Sequence, residues 1–321
     1  MNPSKILIIR FSSIGDIVLT TPVIRMLKKQ TGAKIHYLTK PQFKSILEHN
    51  PYIDEIITLP ENESQLRPIL KKERYDIIID LHRNLRSLRF SFNLSKKVYR
   101  FNKLNFKKWL LVQFKYNTLP EVHIVDRYLA TCNKLNIKND SLGLDYFHGL
   151  TLQDLDTFEL LPDSYIVYAI GGQHNTKKMP VVKMVELLQL VNKKVVLLGG
   201  KEDTEKGREL ATNQMVINLC GKTSIHQSAL IIEHAQKVIT HDSGTMHIAA
   251  AFKKEIISIW GNTVPEFGMF PYLTNNQSVQ FEVPNLSCRP CSKIGYTACP
   301  KGHFDCMNLQ DIQEISRRIN A

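Results

Sequence analysis

Three polar turns, each after a short apolar run, contain the residue types from which an active site could be built. The first turn, residues 11–16 (FSSIGD), follows the apolar run 6–9 and leads into a helical segment. Asp16 lies in the first turn of that helix, where backbone amides and the helix dipole favour an ionised carboxylate. Such a carboxylate can accept a proton from a hydroxyl group. The turn therefore indicates either a general base at Asp16 or a simple helix cap.

The second turn, residues 171–180 (GGQHNTKKMP), follows the apolar run 165–170. Gly171 and Gly172 permit a close approach of the backbone to a ligand. Thr176 and Lys177 precede a helix that should begin near Pro180, an arrangement that suits a phosphate group. Because paired glycines also occur as ordinary turn residues, the turn alone favours neither interpretation strongly.

The third turn, residues 241–247 (HDSGTMH), connects the run 238–240 to an Ala-rich helix. Backbone amides of residues 243–246 would point towards an anion at the start of that helix. The small residues 249–251 would let the helix lie close to a sheet. His247 lies one turn into the helix, so it can be either a structural or a functional histidine. Of the three turns, this one gives the strongest indication of a binding site.

Two common nucleotide sites receive little support. The first turn has one glycine and lacks the Gly-x-Gly-x-x-Gly spacing of a dinucleotide site. It also lacks the Gly-Lys-Ser/Thr of a P-loop. If these turns bind a nucleotide, they do so through another arrangement.

Alternating strand and helix patterns must position these turns. With 321 residues, the chain is longer than one hydrophobic core usually grows. Strands alternate with helices in both halves, which predicts two doubly wound α/β domains with parallel sheets. The predicted strands are residues 6–9, 35–38, 55–59, 75–80, 165–170, 195–198, 216–219, 238–240 and 256–260. The predicted helices are residues 17–30, 42–49, 66–73, 181–190, 202–211, 225–235 and 246–251.

The domain boundary is expected within residues 140–163, where Gly143, Gly149 and Pro162 interrupt an acidic stretch without a clear period. We predict domains of residues 1–155 and 156–321. The final segment, residues 309–319, has helical spacing and could pack back across the first domain.

The net charge of +12 indicates an anionic partner, either nucleic acid, a phospholipid surface or a phosphorylated substrate. Residues 81–120 contain no acidic residue and ten basic ones. Six phenylalanine and tryptophan side chains are interleaved with them and could enter a membrane interface or stack on nucleic acid bases. The basic residues are Arg83, Arg86, Arg89, Lys96, Lys97, Arg100, Lys103, Lys107, Lys108 and Lys115, and the six aromatic ones are Phe90, Phe92, Phe101, Phe106, Trp109 and Phe114.

The sequence predicts a cytoplasmic protein. Its start does not resemble a signal peptide, and no stretch approaches the ~20 apolar residues that span a bilayer. Six cysteines in such a chain are expected to be reduced. Cys132 and Cys220 are isolated and are expected to be buried, inert thiols.

Four cysteines cluster near the end of the chain, at Cys288, Cys291, Cys299 and Cys306, with His303 nearby. Their number and grouping are compatible with a structural zinc site. A group of reduced thiols or a redox-sensitive pair is the favoured interpretation, and zinc is the less favoured one. Whether these residues bind metal stays open.

Taken together, the three turns resemble glycosyltransferase family 9, the bacterial lipopolysaccharide heptosyltransferases, and the resemblance runs nearly end to end. It rests on residues 10–22 (RFSSIGDIVLTTP), 176–180 (TKKMP) and 242–251 (DSGTMHIAAA). It implies a GT-B fold, with two Rossmann-like domains that face a central cleft. The first domain would bind the acceptor and the second the nucleotide-sugar donor.

The resemblance also implies an inverting transfer of heptose from ADP-heptose to the lipopolysaccharide inner core, with no metal or other cofactor required for catalysis. Asp16 aligns with the family's proposed base. Lys177 matches a lysine that binds the donor phosphates. The expected partners are the nucleotide sugar, a phosphorylated acidic lipid A precursor and an anionic membrane, with the enzyme peripheral on the inner face of the inner membrane and no nucleic acid bound. The candidate donor-binding residues are Thr176, Lys177, Asp242, Ser243, Gly244, Thr245, Met246 and His247, and the candidate acceptor-binding residues are Ser13, Gly15, Arg83, Asn84 and Arg86.

Three positions depart from the family pattern and leave the donor open. Met179 replaces a frequent tryptophan, His226 a frequent acidic residue, and His241 a more usual asparagine. A related transferase that uses another nucleotide sugar is therefore the first alternative. A basic nucleic-acid-binding protein with a C-terminal zinc module is the alternative from a different class.

Overall fold

The computed structural model describes residues 3–321, which form two compact units. The first unit comprises the chain up to Lys103 together with Val122–Phe147. The second comprises Leu104–Glu121 and His148–Ala321. Each unit is built on its own parallel sheet with helices, as the alternating pattern predicts.

The first unit has a five-stranded sheet in the order β3-β2-β1-β4-β5, with every neighbouring pair parallel. The three inner strands of this sheet are largely buried because helices cover it, and residues 6–9 are fully buried. The strands are β1 (Lys5–Ile9), β2 (Lys34–Thr39), β3 (Glu55–Thr58), β4 (Ile77–Asp80) and β5 (Lys97–Arg100). The helices are α1 (Ile14–Val18), α2 (Thr21–Thr31), α3 (Leu66–Lys72), α4 (Leu85–Ser91) and α6 (Ile124–Ala130).

The second unit has a six-stranded parallel sheet in the order β11-β10-β9-β6-β7-β8. Counted from β6, this is the strand order 3-2-1-4-5-6 of doubly wound nucleotide-binding folds. The strands are β6 (Ile166–Ala169), β7 (Val195–Leu198), β8 (Val216–Asn218), β9 (Lys237–His241), β10 (Glu255–Trp260) and β11 (Val279–Glu282). The helices are α5 (Asn105–Phe114), α7 (Val181–Leu190), α8 (Thr204–Leu210), α9 (Ile225–Glu233), α10 (Gly244–Ala251), α11 (Asp305–Asn308) and α12 (Ile312–Asn320).

All nine predicted strands are confirmed, whereas β5 and β11 were not predicted. The single helix predicted for residues 17–30 is wrong, because the chain turns at Thr20 and a second helix begins just before Pro22. The helix predicted for residues 42–49 is a 3₁₀ helix at Pro41–Leu47. The final helix, α12, packs within the second unit, where its buried isoleucines contact α7 and β10. Within residues 3–321, every helix is too short or too polar to cross a membrane.

Arg25 on α2 fastens the last segment of the first unit. Its side chain is buried and makes a two-pronged pair with Asp140, Nε to Oδ2 at 2.8 Å and Nη2 to Oδ1 at 2.8 Å. It also pairs with Asp145 and donates to the carbonyl of Gly143 at 2.9 Å. The irregular residues 140–145 therefore lie on α2 because one guanidinium group holds them there.

We expect Arg25→Met to lower the free energy of unfolding by about 2–3 kcal/mol, because it leaves two carboxylates and a carbonyl without their donor. The matched control is Arg317→Met, whose side chain is 71% exposed and pairs only within its own helix. That control should change stability by less than about 0.5 kcal/mol. Urea unfolding followed by circular dichroism measures both, and equal effects of the two substitutions would contradict the role given to Arg25.

Candidate active site

In the second unit, the two predicted phosphate-binding turns lie side by side. They follow β6 and β9, which are neighbours in the sheet although they are not consecutive in sequence. At this point the strand order reverses, and helices leave towards opposite faces of the sheet. A crevice at the carboxyl ends of the strands is the consequence, and ligands of open α/β sheets bind in such a crevice.

Lys177 and Asp242 connect the two turns. Lys177 Nζ lies 2.6 Å from Asp242 Oδ2, and both side chains are largely buried. Thr263 Oγ1 donates to the same carboxylate oxygen at 2.7 Å. The ammonium group of Lys177 is therefore held at the crevice by a fixed counter-charge.

Two further contacts hold the backbone of the second turn. The amide of Met179 donates to Nε2 of the buried His241 at 3.1 Å. The hydroxyl of Thr176 donates to the carbonyl of Tyr296 at 3.1 Å and accepts from the Tyr296 amide at 2.8 Å. Because Thr176 is buried and its hydroxyl is used in this way, the residue anchors the turn, and its direct contact with a donor stays a prediction.

The third turn leads into α10, whose N-cap is Ser243. Ser243, Gly244 and Thr245 are half-buried, and their backbone begins the helix at the crevice. Met246 and His247 lie inside the unit, at 0% and 2% exposure. Of these predicted donor-binding residues, Ser243, Gly244 and Thr245 are partly accessible at the start of α10, whereas Met246 and His247 have buried side chains.

In the first unit, Asp16 lies in the first turn of α1, shortly after β1. β1 and β4 are neighbours in that sheet, and the strand order reverses between them. Oδ1 of Asp16 lies 2.6 Å from Nη2 of Arg10. Its Oδ2 accepts hydrogen bonds from the amide of Ser13 at 3.2 Å and from the Ser13 hydroxyl at 3.0 Å. Asp16 thus caps α1 and also carries an ion pair, so the two interpretations of this residue are compatible.

The surroundings keep Asp16 ionised. Burial pushes the pKa of Asp16 upward, but the charge of Arg10 and the hydrogen bonds from Ser13 outweigh it and hold the pKa below 3.8. Arg10 is itself buried and fixed by donating to the carbonyls of Ser12 and Leu81. The side chain of Asp16 keeps 22% exposure, so the carboxylate can be reached from solvent.

Two titratable neighbours of this site, His82 and Lys103, were not predicted as site residues from the sequence. The His82 ring packs 4.8 Å from the ring of Phe11, centroid to centroid. Burial, followed by the charge of Arg10, lowers the pKa of His82 to about 3, so its imidazole is neutral. Burial and Arg10 also lower the pKa of Lys103. His82 follows β4, so the rule that site residues follow strands could have identified it, whereas Lys103 follows the unpredicted β5.

The predicted acceptor-binding residues occupy different positions in the first unit. Ser13 contacts Asp16 as described, and Gly15 is buried within α1. Arg83 donates to the carbonyl of Phe101 at 3.1 Å, and Asn84 caps α4 by accepting from the Ser87 amide at 2.8 Å. The exposed Arg86 pairs with Glu63 at 3.0 Å. Ser13 alone among the five has a hydrogen bond to the Asp16 side chain in the described part of the chain.

The structure divides the basic, aromatic stretch of residues 81–120 between the two units. The prediction that all six aromatic side chains could enter an interface is wrong for Phe90 and Phe101. These two are 2% and 3% exposed because they pack inside the first unit, Phe90 against Phe11 and Phe101 against Tyr128. The other four aromatic side chains are exposed.

The isolated Cys132 and Cys220 are buried, and burial raises the pKa of each thiol to about 12, as an inert role requires. The clustered cysteines lie in the segment around α11, where burial raises the pKa of Cys291 to about 11 and Cys306 to about 12. Thiolates that share a zinc ion lie about 4 Å apart. In the described residues, no three of the clustered sulfurs come within 4.8 Å of one another. Whether these cysteines bind zinc stays open, and binding would require this segment to rearrange.

Known proteins resemble this chain over most of its length. Residues 64–300 match the model of glycosyltransferase family 9 (heptosyltransferase). Lipopolysaccharide heptosyltransferase 1 of Campylobacter coli is 27% identical over 288 residues, which cover 81% of this chain and 84% of that protein. Lipopolysaccharide heptosyltransferase 2 of Escherichia coli K12 is 24% identical over 301 residues, covering 82% and 84%.

The solved structure of Escherichia coli ADP-heptose lipopolysaccharide heptosyltransferase II matches the fold. Its TM-score is 0.70 at 22% identity, and the match covers 97% of this chain and 99% of that one. The two parallel-sheet domains therefore have the GT-B architecture. With a family match that spans most of the sequence, and with site residues at both strand-order reversals, this chain belongs to glycosyltransferase family 9 and is a glycosyltransferase.

Proposed function

We propose that the protein is an inverting, metal-independent transferase that moves heptose from ADP-heptose to the lipopolysaccharide inner core. The observation that carries the proposal is that each unit has a suitable group where its strand order reverses. The first unit has an accessible, ionised carboxylate there, and the second has a fixed ammonium group and a helix N-terminus. The curated relatives are named as lipopolysaccharide heptosyltransferases, which supports the choice of donor sugar and acceptor.

On the donor side, the diphosphate would lie against Lys177 and the start of α10. When the bond to the sugar breaks, the departing ADP gains negative charge, and groups already aimed at that charge lower the barrier. Lys177 is suited to this because Asp242 and Thr263 fix its position before the donor arrives. Fixed amides and one ammonium group can supply the stabilisation that a divalent cation supplies in other transferases.

On the acceptor side, Asp16 would take the proton of the attacking hydroxyl as the new bond forms at the anomeric carbon. Attack from the face opposite to ADP inverts the configuration at that carbon. The Arg10 pair keeps Asp16 ionised at neutral pH but also makes it a weaker base. We therefore assign most of the driving force to the stabilised departure of ADP, with Asp16 accepting the proton late.

The acceptor would be a phosphorylated, acidic lipid A precursor, so the enzyme would work in the cytoplasm at the inner face of the inner membrane. A related transferase that uses another nucleotide sugar remains the second candidate. The observation in its favour is that Met179, His226 and His241, all in the second unit, depart from the family pattern.

Nucleotide sugars distinguish the two candidates by thermal protection. We expect ADP-heptose to raise the melting temperature, because a ligand at a hundredfold excess over Kd stabilises the native state by about 2.7 kcal/mol. Lys177→Met should reduce ADP affinity about tenfold or more through loss of a charged contact. The control Lys183→Met, a lysine paired with Glu186 on the surface of α7, should leave affinity unchanged. Protection by a UDP or GDP sugar instead, or unchanged ADP affinity of Lys177→Met, would contradict the donor assignment.

Asp16→Asn should lower kcat by about 10²–10⁴-fold while ADP-heptose affinity stays unchanged, because the amide keeps the shape of the side chain but cannot accept the proton. Single-turnover transfer measures the first quantity, and calorimetric titration measures the second. The exposed Asp156→Asn serves as the control and should retain normal turnover. Near-normal transfer by Asp16→Asn would remove its assignment as the base.

The Arg10–Asp16 pair also predicts the pH profile. A lowered pKa means that Asp16 becomes protonated, and activity is lost, only as the pH falls well into the acid range. Arg10→Gln removes the positive charge and should move the acid limb of kcat/KM upward by about 1 unit or more. Arg10→Lys keeps the charge and should leave the limb closer to that of the wild type. Identical acid limbs for Arg10→Gln and the wild type would show that this pair does not set the profile.

A further inference from the structure

Helix α5 has one face that is used in packing and one that is not. On the inner face, Leu111 is 7% exposed and contacts Val264 and Phe267. Lys108 lies beside it, with its ammonium group 5.4 Å from the centre of the Phe267 ring. These contacts fix which side of the helix faces solvent.

Phe106, Trp109 and Phe114 are exposed on the same helix, and we name these three residues the aromatic face. They are 70%, 43% and 64% exposed, respectively. Phe106 and Trp109 stack at 5.9 Å between ring centres, and Trp109 meets Phe114 edge-on at 5.3 Å. Three exposed rings in contact with one another form an apolar patch, and such a patch marks a place where something binds.

Positive charge surrounds the aromatic face. Lys107 is exposed on α5, and residues 104–120, which belong to the second unit, contain no acidic side chain. Lys115 follows the helix, and its ammonium group donates to the carbonyls of Val112 at 2.8 Å, Cys288 at 3.1 Å and Pro290 at 2.8 Å. The exposed Lys301 lines the same hollow as Lys115. A partner for this surface must be both apolar and anionic.

We propose that the aromatic face binds the surface of an anionic lipid bilayer. Aromatic rings prefer the depth of the lipid headgroups, where an apolar body and a polar edge are both satisfied. Lysines beside them would lie in the phosphate layer and gain from its negative potential. The proposal rests on the proposed function for its choice of bilayer, because a lipid-linked acceptor would have to be met at such a surface.

The arrangement of the rings disfavours nucleic acid. Single-stranded nucleic acids bind in basic grooves where separate aromatic rings each offer a free face to a base. Here Phe106 and Trp109 stack on one another, and the rings project from the exposed side of a helix. Such a ridge suits insertion into an interface better than the stacking of successive bases.

The two tryptophans of the chain provide the readout, because Trp260 is 1% exposed whereas Trp109 belongs to the aromatic face. On addition of phosphatidylglycerol-containing vesicles, Trp109 emission should shift to shorter wavelength and be quenched by brominated acyl chains. Pure phosphatidylcholine vesicles should bind at least tenfold more weakly. An absence of quenching with the anionic vesicles would overturn the proposal, as would stronger binding to single-stranded RNA than to those vesicles.

Vesicle co-sedimentation compares two matched triple variants. Phe106→Ser, Trp109→Ser and Phe114→Ser together should weaken binding at least tenfold. The control combines Leu152→Ser, Leu161→Ser and Val182→Ser, which are exposed apolar residues elsewhere on the second unit, and should bind as the wild type does. Equal binding by the two variants would overturn the assignment to α5.

Sugar transfer to a water-soluble, deacylated acceptor fragment separates this proposal from the proposed function. The aromatic-face variant should retain wild-type turnover in that assay, since it removes no residue assigned to donor or acceptor chemistry. Loss of transfer there together with loss of vesicle binding would overturn the proposal, because the aromatic face would then act on the reaction itself. Failure of the wild type to transfer heptose at all would contradict the proposed function without changing the vesicle result.

Discussion

Reversal of strand order is the constraint on which the candidate site residues of each unit depend. In each sheet the first strand, β1 or β6, has the second strand of its own unit on one side and a strand from later in the chain on the other. Connections from the two neighbours must leave towards opposite faces, so no helix closes the space between them. Asp16 follows β1, Lys177 lies in the turn after β6, and Asp242 follows β9. These charged candidate residues occur at the turns where the topology of each sheet leaves a crevice.

Each unit pairs the charge of its candidate site residue with an opposite charge. In the first unit the guanidinium of Arg10 pairs with the carboxylate of Asp16, the proposed base, whereas in the second unit Asp242 pairs with the ammonium of Lys177, the proposed phosphate ligand. A single charge held this far from water would cost several kcal/mol or would be neutralised by a shift in its pKa. Pairing removes most of that cost and keeps each group ionised and oriented before any substrate binds. Both pairs retain some exposure, which leaves room for a ligand to compete for the charge.

Local sequence pattern predicted the central strands and the three turns, because buried parallel strands are continuous apolar runs and site residues follow them. It did not predict β5 (KVYR) or β11 (VQFE), since edge strands are short, half-exposed and polar. Nor did it indicate that residues 104–121 belong to the second unit, because that depends on contacts of Leu111 with Val264 and Phe267, about 150 residues away in the chain. Lys103 was missed for a related reason, as it follows the unpredicted β5. Such long-range packing has no signature in a local window of sequence.

The contact between His241 and the backbone amide of Met179 gives a physical meaning to one departure from the family pattern, the histidine at position 241. Burial, followed by the charge of Lys178, lowers the pKa of His241 to about 3, so the imidazole is neutral at physiological pH. Since Nε2 accepts the Met179 amide, the proton of the ring is on Nδ1. An asparagine at this position could offer its side-chain amide oxygen to the same N–H of Met179. Histidine and asparagine are therefore equivalent in the one property that the turn requires, a neutral hydrogen-bond acceptor. His241 and Asp242 are consecutive residues, and they hold the turn at its backbone and at Lys177, respectively. The end of β9 thereby sets the position of Lys177, the proposed phosphate ligand, from two points, and the identity of residue 241 can change as long as its hydrogen bond is kept.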